Sequence, residues 1–67
     1  MNFEQQVLAT VEKTLGTLVT AADFFGGSLF VECTVQQAVK LETALLQSLD
    51  CGIIMSRVGS ESAFDFV

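Results

Sequence analysis

The stretch Leu15-Gly16-Thr17-Leu18-Val19-Thr20-Ala21-Ala22-Asp23-Phe24-Phe25-Gly26-Gly27 decides the fold, because it is either the second half of a long helix or a separate strand. Projected at about 100° per residue, Phe3, Val7, Leu8, Val11, Leu15, Leu18, Val19, Ala22 and Phe25 fall within an arc of about 160°. The same phase carries Gly16 to the polar side, where it costs about 1 kcal/mol of helix propensity but opens no hole in a core. Asn2 is a fair N-cap, and Gly26 suits a left-handed C-terminal stop. The alternative ends the helix near Leu15 and makes residues 17–21 a strand. That segment does not alternate, and the helical phase runs through it, so the pattern predicts one amphipathic helix over residues 3–25.

Downstream the signals are shorter. Residues 28–33 alternate, with Leu29, Val31 and Cys33 on one face and Phe30 and Glu32 on the other, as a strand requires. Thr34 then caps a second helix over residues 35–50. Its expected buried stripe is Val35, Ala38, Val39, Leu45, Leu46 and Leu49, and its wet side Gln36, Gln37, Lys40, Thr43, Gln47 and Ser48. Residues 53–58 and 62–67, joined around Gly59-Ser60-Glu61, read as a β-hairpin in which Phe64 and Phe66 share a face. No internal repeat is visible, and residues 1–67 are expected to form one domain. The expected fold is α+β: a long N-terminal helix followed by a β-α-β-β unit, a three-stranded mixed sheet with helices on one face. The right-handed crossover makes the first two strands parallel.

Composition narrows the function classes. Half the chain is hydrophobic (51%), its mean hydropathy is +0.57, and only 16% of it is charged. A chain of this length buries about 60% of its unfolded surface, so much apolar area stays outside. Large exposed patches mark interfaces, and a homo-oligomer or a larger protein partner is expected. Eight acids against three scattered bases (Lys13, Lys40, Arg57) give a net charge of −5, without the basic patch that phosphate binding needs. Direct nucleic-acid binding is therefore not expected. Between Lys13 and Glu32 the chain is rich in threonine and glycine and lacks polybasic flanks, so no membrane association is expected either. The start Met1-Asn2-Phe3-Glu4 has no basic region leading into an apolar core, which fits a cytoplasmic protein.

Chemistry is sparse. With no histidine, neither Cys33 nor Cys51 has the usual base for nucleophilic catalysis, and two cysteines do not make an ordinary zinc site. The two cysteines bracket a helix about 24 Å long, too far apart for a disulfide. Gly26-Gly27 follows an expected helix rather than leading from a strand into one, unlike a phosphate loop. Neither catalytic residue, cofactor nor metal is expected. One residue breaks the pattern: Glu42 falls in the middle of the second helix's apolar stripe, where a lone charge is costly. It is expected to meet a structural partner (Arg57 best of all, or Lys13 or a backbone donor), to escape at the helix edge, or to serve as a specificity contact in an apolar interface.

These readings point to a non-enzymatic binding or regulatory protein that self-associates and docks on a larger protein, as small phage-type inhibitors of host enzymes or defences do. The alternative is a small-molecule binder with a pocket between subunits. The candidate interface residues are Glu42, Arg57, Phe30, Leu15, Leu18 and Phe25.

Overall fold

In the computed structural model, which describes residues 2–16 and 21–67, the chain forms α1 (Phe3–Leu15), β1 (Ala21–Phe25), β2 (Ser28–Glu32), α2 (Val35–Ser48), β3 (Ile53–Val58) and β4 (Glu61–Phe66). The fold is α+β, with two helices and four strands in the order β1-β2-β4-β3, every neighbouring pair antiparallel.

This corrects the expected helix over residues 3–25. α1 stops at Leu15, where the Gly16 N–H caps the Glu12 carbonyl with φ +62° and ψ −143°. That combination is closed to residues with a Cβ, so Gly16 leaves the helix rather than sitting harmlessly on its wet side. Ala21–Phe25 is a strand, paired with β2 through Phe24↔Leu29 and Phe25↔Ser28. Gly26 and Gly27, both with positive φ, make the two-residue turn between them, as a type I′ hairpin requires. The glycine pair that suited a helix stop is thus a hairpin turn.

The sheet is also not three-stranded and mixed. β2 and β3 run in the same direction, as the crossover through α2 demands, but β4 lies between them and pairs with both.

Both helices begin with a complete capping box. Gln5 N–H donates to Asn2 Oδ1 at 2.8 Å, and the Asn2 N–H donates to Gln5 Oε1 at 3.4 Å. Gln37 N–H donates to Thr34 Oγ1 at 3.1 Å, and the Thr34 N–H donates to Gln37 Oε1 at 2.8 Å. Val7, Val11 and Leu15 of α1 and Ala38, Leu41 and Leu45 of α2 close over Leu29, Val31, Ser62 and Phe64, which share one sheet face. Phe3 and Phe24 pack on Phe66 at ring-centroid distances of 5.1 and 6.3 Å, sealing one end of this layer. The stripe expected on α2 is rotated. Leu41 enters the core, while Val35, Val39 and Leu46 are exposed.

The architecture repeats, although no repeat is visible in the sequence. Moving 33 residues along the chain carries Ala21↔Glu32 onto Ile54↔Asp65 and Phe25↔Ser28 onto Val58↔Glu61. The turn Gly26-Gly27 lands on Gly59-Ser60 in the same step. The fold is therefore two α-β-β units meeting across the antiparallel β2–β4 pair.

Candidate functional site: the open sheet face

Both helices cover the same side of the sheet, and side chains alternate along every strand. The other side carries Asp23 and Phe25 from β1, Ser28, Phe30 and Glu32 from β2, Glu61, Ala63 and Asp65 from β4, and Ile54, Ser56 and Val58 from β3. Among the described residues no helix lies over them. Phe25 and Val58, which close equivalent strands at opposite ends of the sheet, are 79% and 82% exposed.

This face is both greasy and acidic. It holds four of the eight carboxylates and none of the three bases. Glu32 and Glu61 stand directly opposite each other on the two central strands, a placement that costs stability. Asp65 accepts a hydrogen bond from the Ser28 hydroxyl across the same pair of strands. Asp23 Oδ1 accepts the Phe24 backbone N–H at 2.8 Å, which occupies a donor of the edge strand and blunts its tendency to recruit another strand. A shallow depression of about 320 Å³ opens on this face, lined by Asp23, Phe25, Phe30 and Glu61.

The bases lie elsewhere. Lys13 and Lys40 line a groove of about 570 Å³ between the outer sides of the helices, with Gln6, Thr10, Gln47 and Ser48 among its walls. Arg57 is on the helix-covered side of β3, where its Nη1 donates to Ser62 Oγ at 2.9 Å. Ser62 is fully buried, and the Cys33 thiol approaches the same oxygen at 4.0 Å. Arg57 is thus anchored by a serine and does not meet Glu42. Glu42 is half-buried on the flank of α2, level with the exposed Val35, Val39 and Leu46 rather than inside the core.

Of the other sequence candidates, Phe25 and Phe30 come together on the open face, Leu15 belongs to the core, and Leu18 lies outside the described residues. Asp23 and Glu61 were not singled out by sequence reasoning. The sequence pattern puts Asp23 in a helix and Glu61 in a turn, so neither falls beside Phe30. The Gly26-Gly27 pair between two apolar runs is the signal that finds Asp23, once read as a hairpin.

Cys33 and Cys51 are free thiols, the first buried and the second half-buried. Among the described residues no three His, Cys, Asp or Glu side chains gather as a metal site, and no helix is long and apolar enough to cross a membrane. Comparisons with protein-family models, with curated proteins and with solved structures find no match.

Proposed function

We propose that this chain is a non-enzymatic binding protein that docks a larger, basic protein on its open sheet face. The observation that carries the reading is the pairing of exposed apolar side chains with four carboxylates and no base on one side of the sheet. Apolar area of that kind supplies affinity when covered, and a one-sign rim selects a partner of opposite charge and speeds its encounter. The same charge pattern argues against two copies meeting through this face. Two open faces together would bring eight carboxylates into one interface and none of the chain's lysines or arginine.

Self-association has better support on the helix layer, where Val35, Val39 and Leu46 form an exposed stripe beside Glu42. In that arrangement Glu42 is a polar contact within an apolar seam. A pocket built around Glu42 and Arg57 for a small molecule has less support, because the Arg57 guanidinium is engaged with Ser62.

The test is capture from lysate with three baits: the native chain, Asp23→Lys/Glu61→Lys/Asp65→Lys on the open face, and Glu4→Lys/Glu12→Lys on α1. The reading expects a basic partner held by the first and third baits, released by salt, and lost with the second. A partner held equally by all three would overturn it.

A further inference from the structure

We infer that the depression bounded by Asp23, Phe25, Phe30 and Glu61 receives an arginine side chain of the docked protein. The inference rests on the docking reading above and names the contact that gives it specificity. The depression's lining narrows the ligand by chemistry. Two carboxylates repel an anion, and they would lose hydration without compensation against an apolar group. A hard metal ion is held through oxygen ligands and gains nothing from the two phenyl rings, which make up half of the lining. A flat cation suits all four residues. The guanidinium stacks on aromatic faces and pairs with carboxylates through two parallel N–H donors, whereas an ammonium is a compact, strongly hydrated point charge.

The sheet register supplies the geometry. Asp23 is directly opposite Phe30 on one side, and Ala63 is opposite it on the other. Glu61, two residues along from Ala63, is diagonal to Phe30, so the two carboxylates flank the ring from β1 and β4. Phe25 closes the side next to the turn and is the more exposed of the two rings. The hydrogen bond from the Phe24 N–H to Asp23 Oδ1 orients that carboxylate and leaves its second oxygen for a ligand. Ala63 is small, which leaves room beside the Phe30 ring.

The repeat provides an internal control. The same four places in the other half are held by Ser56 for Asp23, Val58 for Phe25, Ala63 for Phe30 and Ser28 for Glu61. That quartet has neither a charge nor a ring. The backbone arrangement is the same, so the fold does not require two phenylalanines and two acids at these points.

The experiment is an NMR titration of the ¹⁵N-labelled full chain with hexa-arginine and hexa-lysine peptides, for the native protein and three variants. The variants are Phe30→Leu, Asp23→Asn/Glu61→Gln, and Glu12→Gln on α1 as a control off the sheet face. Amide shifts should gather at 23, 25, 30 and 61, with hexa-arginine binding about three-fold tighter than hexa-lysine. Phe30→Leu should erase that preference, the double variant should weaken both peptides about five-fold or more, and Glu12→Gln should change neither. Variants that keep native dispersion and bind like the native chain, with shifts still on the open face, would overturn the arginine site and leave the docking face standing. Shifts gathered on the helices instead would overturn both.

Discussion

Replacing a phenylalanine on each side of the sheet tests whether one side is truly open. Phe64 is fully buried beneath the helices, between Leu29 on β2 and Met55 on β3. Phe64→Leu removes part of a buried ring and leaves a misfitting shape, at a cost of about 1–2 kcal/mol. A 67-residue domain has about 3–10 kcal/mol of stability in total, so the milder leucine is preferable to alanine, which would cost about 3–5 kcal/mol. Phe30, its half-buried counterpart on the other face, loses cross-strand contacts with Asp23 and Ala63 and the nearby Phe25 and Glu61, about 0.2–1 kcal/mol for Phe30→Ser. With a urea m-value of about 1 kcal/mol/M, the unfolding midpoint should fall by about 1–2 M for Phe64→Leu and by less than about 1 M for Phe30→Ser. The assay is equilibrium unfolding followed by circular dichroism at two protein concentrations. If Phe30→Ser lowered the midpoint as far as Phe64→Leu, the outer face would be packed in solution and the docking argument would lose its footing. A concentration-dependent midpoint for the native chain alone would identify a second copy as what covers it.

Three further outcomes are open to measurement. Gly16→Ala should lower stability by about 1–3 kcal/mol in a thermal melt, because a Cβ there meets no atom within 4 Å and the whole cost is backbone conformation. Ser62→Ala should cost about 0.5–1.5 kcal/mol in chemical denaturation, since it removes the acceptor for Arg57, and Arg57→Met should absorb most of that penalty in a double-mutant cycle. In native buffer a thiol reagent should modify Cys51 well before Cys33, and both should react together only in denaturant, which mass spectrometry of timed aliquots resolves.

The sequence carried more of the fold in its second half than in its first. Thr34, the turn at Gly59-Ser60 and the alternation around Phe64 are local signals, and each corresponds to an element in the structure. Around residues 15–27 two periodicities compete. Val19, Ala22 and Phe25 extend the helical phase of α1, yet Ala22 and Phe24 against Asp23 and Phe25 alternate as a strand. The helical phase prevails as long as Gly16 counts only as a weak helix former; the φ it adopts is what ends α1. A helix that runs through β1 leaves no hairpin at Gly26-Gly27, and without the hairpin Asp23 has no place on an acidic face. The rotated stripe of α2 is a second miss with a physical cause. A small domain leaves part of each helix's apolar arc uncovered, so hydrophobicity alone does not tell Leu41 from Val39. Phe30 was legible as outward-facing because strand alternation has a period of two and no competing phase crosses it.

The repetition of the α-β-β unit has a consequence for how the chain stays folded. The seam between β2 and β4 is the kind of contact that two separate half-length chains would make as a dimer, but here Cys33 and Thr34 tether the halves. A two-residue tether turns a bimolecular encounter into a ring closure, so the seam forms at a high local concentration however dilute the protein is. At the other junction the ring of Phe3, near the start of the chain, packs edge-on against Phe66, near its end. This contact adds a second join between the two units, from α1 of one to β4 of the other. Identical sequences in both units would have given identical outer surfaces. Within one chain the two units are free to differ, so both rings of the depression come from the first unit while Val58 and Ala63 stand at the matching places of the second, an asymmetry that a homodimer of identical half-chains cannot reach.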